Sequence, residues 1–350
     1  MLKGESMNIA FFSKHLPSDE PNGVSVQVHR LAEALTALGH NVTVYTFSPP
    51  VNASHYRCVT LPQRLLWRLF RKFAPALAFR KVGTSSFDII HYHGDDYLCA
   101  GSPKRVRTFY GSAFREALHA GSIGRFVYQA IFYCFERVSC RKRGVLVAIS
   151  ADTKRYLPTV NRFIPCCVPL ERYCPGGEKS AQPSILFLGD FNSRKRGTIL
   201  LKTFAGVVLP VHPECTLTVA GPIACSGKNI IHVGRLDEEQ LIKAYRRSWI
   251  FCMPSSYEGF GVPMLEAMAC GTPVVATHNP GSDALIRHDE NGWLCTPENL
   301  GASLLHLLAD GEKRRSLAAT GRRFVASYDS KVVARQYELL YSEITPMPLP

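Results

Sequence analysis

Residues 8–47 read NIAFFSKHLPSDEPNGVSVQVHRLAEALTALGHNVTVYTF, and this stretch decides the fold class. Residues 8–12 are a short apolar run, 13–23 are polar and turn-rich, and 24–38 repeat their apolar residues at helical spacing. Gly39 closes the helix, and 41–47 alternate apolar with polar and carry β-branched residues, the mark of a strand. Strand, helix, strand in that order is a βαβ unit with parallel strands and a right-handed crossover.

Outward from this unit the same alternation continues. Strands are expected at 89–92, 106–109 and 145–149, with helical stretches such as 123–137 between them. A Pro- and Gly-rich passage over 165–183 interrupts the pattern, which resumes at 184–188. Later strands are expected at 216–220, 230–233, 250–253 and 273–276, with helices near Thr198, Glu238, Pro263 and Pro297. The reading is α/β, two facing doubly wound Rossmann-like domains: 7–165, a linker over 166–183, and 184–330. A last helix, 331–344, crosses back to the first domain. Ligands of such sheets bind at the carboxyl ends of the strands, so the donor site is expected in the interdomain cleft.

Composition narrows the class. The 350 residues are 46% hydrophobic and 20% charged, the balance of a globular chain. No apolar run is long enough to span a bilayer and no leader pattern opens the chain, so a cytoplasmic location is expected. The 12 cysteines are scattered without a C-x-x-C pair, which fits buried reduced thiols rather than staples or zinc ligands. Charge is lopsided: residues 1–175 hold 23 Lys and Arg against 11 Asp and Glu, whereas 176–350 hold 18 against 17. A basic first half suits an anionic partner, and with no nucleic-acid motif present a membrane surface is favoured over nucleic acid.

The basic excess concentrates in 57–81. Arg64, Arg68, Arg71 and Lys72 fall on one face of a helix, and Leu66, Leu69, Phe70, Phe73 and Leu77 on the other, with Trp67 near the border. Such a helix either lies in an anionic membrane interface or turns its apolar face to the core.

The densest chemical signal is 257–276, YEGFGVPMLEAMACGTPVVA, between two expected strands. Gly259 and Gly261 let backbone approach a ligand closely, and Pro263 suits a first helical turn whose free N–H groups favour phosphate. Glu258 precedes that turn and Glu266 lies eight residues on, about two helical turns. One acid can reach a sugar and the other a ribose. Upstream, GDFNSRKRG at 189–197 follows a strand and leads into a helix, offering Arg194, Lys195 and Arg196 to a diphosphate.

The 257–276 stretch resembles the E-x7-E region of family 4 glycosyltransferases, and the resemblance runs from Asn8 to about Ile344. It implies a GT-B architecture and a retaining transfer from a nucleoside-diphosphate sugar to a hydroxyl acceptor, lipid-linked or soluble, with no cofactor and no metal. Glu258, Phe260, Gly261 and Val262 would then contact the transferred sugar, and Glu266 the ribose. Arg194, Lys195 and Arg196 would compensate the departing diphosphate. Gly23, in Pro21-Asn22-Gly23-Val24, matches a glycine loop over the donor phosphates, and Arg235 a loop that frames the base.

Departures from the family pattern are also visible. Asp190 stands where an arginine is usual, Ala284 where an acid is frequent, and Cys166 and Cys167 where Asn-Gly is usual. Tyr110 takes the place of a histidine near the reacting carbon and keeps only a hydroxyl. His91, His93, Asp95 and Asp96 lack a third ligand at zinc spacing, and His93 and Asp95 either line an acceptor site or cap a strand. Three rivals follow: a catalytically weakened sugar-nucleotide binder, an epimerase of similar architecture, and a nucleic-acid module that explains only the charge.

Overall fold

The structure, a computed structural model, describes residues 6–19, 21–62, 73–118, 122–191 and 193–345. It divides into two compact units, Met1–Cys167 with Ser330–Pro350, and Val168–Asp329.

The first unit runs β1 (Asn8–Phe12), α1 (Gly23–Ala37), β2 (Asn41–Thr46), β3 (Arg57–Thr60), α2 (Ala74–Phe79), β4 (Ile89–Tyr92), β5 (Arg105–Phe109), α3 (Ala113–Leu118), α4 (Ile123–Cys140), β6 (Val145–Ala148), α5 (Ala151–Tyr156) and β7 (Arg162–Phe163). Among the described residues its strands form one parallel sheet ordered β3-β2-β1-β4-β5-β6-β7. Ile9 pairs with Val42 on one side and Ile89 on the other, which makes β1 central. Ile9, Ala10, Phe11 and Phe12 are all fully buried, as a strand covered on both faces requires.

The second unit repeats the plan with β8 (Ser184–Leu188), α6 (Gly197–Thr203), a π-helical turn at Phe204–Val208, α7 (Leu209–Val211), β9 (Thr216–Ala220), β10 (Ile230–His232), α8 (Glu238–Arg247), β11 (Ile250–Met253), α9 (Val262–Ala269), β12 (Val274–Thr277), α10 (Pro280–Leu285), β13 (Trp293–Cys295), α11 (Leu300–Ala309) and α12 (Gly311–Val325). Its parallel sheet is ordered β10-β9-β8-β11-β12-β13. In each sheet the order reverses beside the first strand, between β1 and β4 and between β8 and β11. These reversals are where doubly wound sheets open a crevice at the strand carboxyl ends.

The last helix, α13 (Ser330–Ile344), belongs to the first unit. Val333, Ala334, Tyr337, Leu340 and Tyr341 bury into the core around α1, each larger side chain contributing about 2 kcal/mol of burial. A polar pin adds direction. His91 Nδ1 meets the Tyr341 hydroxyl at 2.7 Å, its Nε2 meets Thr108 Oγ1 at 2.8 Å, and Thr108 meets the Tyr337 hydroxyl at 2.9 Å. Burial, with His93 and Arg107 nearby, holds the His91 pKa well below its usual value. His91 is a neutral structural residue, and among the described residues no group of three or more His, Cys, Asp or Glu is placed to hold a metal ion.

The basic amphipathic helix expected within 57–81 falls mainly on 63–72, which lie outside the described residues. The flanking residues are described. Arg57 sits on β3, an edge strand paired to β2, and Phe73 stacks on Phe132 and meets Phe135 edge-on, both of α4. Leu77 is exposed whereas Phe79 is buried against Phe12 and Phe47. Among the described residues no helix is long and apolar enough to cross a membrane, and all 12 cysteines are free.

Candidate functional site

The loop after β8 is built for close approach. Gly189 has φ +153°, and a Cβ there would meet Lys195 Cγ at 2.8 Å. A Cβ at Gly221, after β9, would fall 2.0 Å from the Gly189 carbonyl oxygen, so both positions demand glycine. Asp190 ties the loop: its carboxylate accepts from the Ser193 amide at 3.0 Å and its carbonyl from the Gly197 amide at 3.2 Å. The residue that departs from the family pattern therefore works as a turn former. Arg196 caps α6 in the left-handed region at φ 53°, with its side chain half-buried.

Across the reversal, the loop after β11 presents Glu258, 5% exposed. Arg194 Nη1 and Lys195 Nζ each reach its carboxylate at 2.8 Å, and Arg194 also donates to the Tyr257 carbonyl at 2.7 Å. The Ser256 amide donates to the Arg194 carbonyl at 2.8 Å, which locks the two loops by backbone as well. Burial opposes the charged carboxylate, but Lys195 and Arg194 outweigh it, and the Glu258 pKa lies below the ordinary range. Gly281 of α10 seats the loop from below, since a Cβ there would stand 2.7 Å from both Glu258 Cβ and its carbonyl oxygen.

Gly261, at φ +101°, turns the chain into α9 and leaves Val262 and Pro263 half-buried at the first turn. Phe260 is buried beside Tyr328. Glu266 lies one helical turn further on, 5% exposed, and accepts from the Tyr245 hydroxyl at 3.1 Å. Burial and that carboxylate hold the Tyr245 pKa far above its usual value, so the phenol stays a donor. Arg235 is exposed in the loop after β10, whose Gly234 carbonyl accepts from the Gly221 amide at 2.9 Å. Ala284 is exposed on α10 next to Asp283, which pairs with His278 at 2.7 Å.

The first unit carries its own pocket at the carboxyl ends of β4 and β5, about 300 Å³ in volume and lined by His93, Arg107, Tyr110, Tyr128, Phe132 and Glu136 among others. Val24, beside the exposed Gly23 at the start of α1, reaches its rim. The Tyr110 hydroxyl lies 2.9 Å from His93 Nδ1. Below them Asp96 is buried between Arg105, which it holds in a direct ion pair, and Arg107, whose Nε is 3.1 Å from Asp96 Oδ1. Asp95, φ 54°, is a strained neighbour whose carboxyl burial pushes up to about 6 against the pull of Lys14 and Arg107.

Two family models match this chain in succession: "Glycosyltransferase Family 4" over residues 21–172 and "Glycosyl transferases group 1" over 175–324. The chain belongs to glycosyltransferase family 4. A phosphatidyl-myo-inositol mannosyltransferase of Mycobacterium leprae is 26% identical, covering 93% of this chain and 94% of that protein. Among solved structures, sucrose-phosphate synthase from Thermosynechococcus elongatus superposes with a TM-score of 0.80 at 23% identity, covering 97% and 99% of the two chains. Anabaena HepE, solved with UDP-glucose, gives 0.76 at 15%, covering 96% and 100%.

Within this glycosyltransferase, Arg194, Lys195 and Glu258 come together as one ion cluster, and Gly261, Val262 and Glu266 follow on the adjoining helix. Arg196 caps α6, and Arg235 lies exposed in the loop after β10. Tyr110 and Gly23 belong to the first unit, around a different pocket. Sequence reasoning missed Gly221 and Gly281, whose role is to leave room for loops far away in sequence, and Glu136, a carboxyl with no motif around it. Only the buried Ser282 and Asn279 beside Gly281 gave a local sign, as an N-cap to α10.

Proposed function

We propose that this enzyme binds a nucleoside-diphosphate sugar on its second unit and transfers the sugar, with retention, to a hydroxyl of a lipid-linked acceptor. The Glu258 cluster at the β8/β11 reversal carries the reading. Arg194, Lys195 and the α9 N-terminus concentrate positive charge where a diphosphate would leave, and preorganised charge of this kind is the main catalytic lever for such a step. Positive charge then comes from the protein, with no metal called for. Glu258, held in two ion pairs, suits orienting the sugar rather than attacking it, and the leaving phosphate oxygen takes the acceptor's proton. That HepE was solved with UDP-glucose makes a uridine donor the first to try.

Calorimetric titration with UDP, GDP and their sugars, repeated on Glu266→Ala, tests the donor site. Loss of a charged hydrogen bond to the ribose should weaken binding about tenfold to a hundredfold. Unchanged affinity would remove Glu266 from the site, and a folded protein that binds no nucleotide would end the reading.

The mycobacterial relative's phosphatidyl-myo-inositol acceptor favours a lipid, and α4 supports peripheral docking on the cytoplasmic face of a membrane. Its inner face, with Tyr128, Phe132 and Phe135, packs inward, whereas Ile123, Phe126, Val127, Ile131 and Val138 are exposed along the outer one. Arg125 and Arg137 flank them and Arg141, Lys142 and Arg143 follow, the pattern of an interfacial helix. Vesicles with anionic phospholipid should sediment the wild-type chain, and Ile123→Glu with Ile131→Glu should weaken this about tenfold. Equal binding of the double variant would rule α4 out.

A further inference from the structure

The pocket of the first unit contains a donor without a partner. His93 is 5% exposed, and its Nε2 has no hydrogen-bond partner although it lines an open cavity. Burial, helped by Arg107, pushes its pKa down to about 3, so the imidazole is neutral and carries one N–H. Phe11, at 4.6 Å, and His91, at 4.1 Å between ring centroids, hold the ring in place. Tyr110 decides which nitrogen bears the proton. Burial raises its pKa well above the ordinary value, so it remains a phenol, and among the described residues His93 Nδ1 is the acceptor recorded for it. With the Tyr110 proton on Nδ1, the imidazole proton is assigned to Nε2. A buried N–H left unpaired costs about 1–3 kcal/mol, and such a cost marks a place where a ligand oxygen belongs.

The charge around it selects the ligand. Among the described lining residues Arg107 is the one cation, and it shares the buried Asp96 carboxylate with Arg105. Glu136 accepts from the Ala113 amide at 3.0 Å, and burial pushes its carboxyl up to about 7. A phosphate here would meet a cation already engaged with Asp96 and would face Glu116 and Glu136, whereas hydroxyls could use Glu136 and His93 alike. Tyr128 and Phe132 add aromatic surface for the C–H face of a ring.

We propose that this pocket takes an uncharged polyhydroxylated ring, the sugar or cyclitol portion of the acceptor, and that His93 Nε2–H donates to one of its hydroxyl oxygens. Tyr110 is the positioning residue that fixes the imidazole tautomer. The inference rests on the acceptor side of the function proposed above and does not depend on the donor site.

The test uses the full chain labelled with ¹⁵N-histidine, whose long-range proton–nitrogen correlations report the tautomer directly. Wild type should show Nε2–H at His93, and Tyr110→Phe should shift it toward a mixture. Titration with myo-inositol and with methyl α-D-mannopyranoside should move the His93 signals saturably for at least one of them, and inorganic phosphate should not. His93→Gln, which keeps an N–H at the Nε2 position, should hold ring affinity within about threefold, and His93→Phe should lose about tenfold. An Nδ1–H tautomer in wild type, a stronger response to phosphate than to either ring compound, or no response to both overturns the proposal, even where the variants fail to fold. Nucleotide titration of the same sample separates the two readings: binding of UDP or GDP beside a silent His93 condemns the pocket alone, and the converse condemns the donor site alone.

Discussion

Glu258→Ala is expected to abolish transfer, lowering kcat by about a hundredfold or more, while leaving nucleoside-diphosphate binding intact or tighter. The two effects separate because the carboxylate neutralises the cations that would meet the diphosphate. Removing it frees Arg194 and Lys195 for phosphate but removes the group proposed to orient the sugar. Stability should fall by about 2 kcal/mol, below the full cost of breaking a buried pair, since the Arg194 and Lys195 side chains are 35% and 18% exposed and can rehydrate. The sign of the pH dependence follows from the lowered Glu258 pKa. The carboxylate stabilises the fold above its unfolded-state pKa, and that contribution is lost as pH falls through the depressed folded value. The gap between wild-type and variant melting temperatures should thus be widest near neutrality and close in acid. Turnover within about threefold of wild type would remove Glu258 from the reaction.

That the backbone of this loop is tightly constrained was legible, because glycines, a proline and two acids at fixed offsets act locally. What it touches was not. The pairing of Glu258 with Arg194 and Lys195 joins residues 64 and 63 positions apart, and no periodicity reports such a meeting. The fold class was readable for the same local reason. Buried parallel strands write continuous apolar runs, and the strong ones, such as Asn8–Phe12 and Ser184–Leu188, stand where they were expected. The short edge strands β3, β7 and β13 escaped notice, since Arg162–Phe163 and Trp293–Cys295 are too brief for any pattern. α4 escaped notice as a surface helix: it carries fewer cations than 57–81 yet holds an exposed apolar face, and its aromatic-rich sequence reads as ordinary core until burial is seen.

Asp96→Ala should destabilise the first unit more than Glu258→Ala destabilises the second. Asp96 is 1% exposed and Arg105 is fully buried, and they form an ion pair that Ser139 completes by donating its hydroxyl to Asp96 at 2.8 Å. Burial alone would raise the Asp96 pKa, yet Arg107 and Arg105 pull it below the ordinary range. Removing the carboxylate strands a guanidinium whose Nη1 already lacks a partner, at a cost of about 3–5 kcal/mol. In a unit of this size that lowers the melting temperature by about 10 °C. Asp96→Ala with Arg105→Met should recover part of the loss, because an apolar pair strands no charge on that side, although Arg107 stays unmatched. Recovery of less than about 0.5 kcal/mol in urea unfolding would show that the ion pair is not the source. The Asp96 contribution, like that of Glu258, is present above the unfolded-state pKa and disappears as pH falls through the lower folded value. The same substitution bears on recognition. With Asp96 gone, Arg107 loses the carboxylate it shares with Arg105, and inorganic phosphate, disfavoured in the wild-type pocket by Glu116 and Glu136, should begin to bind where the neutral ring did.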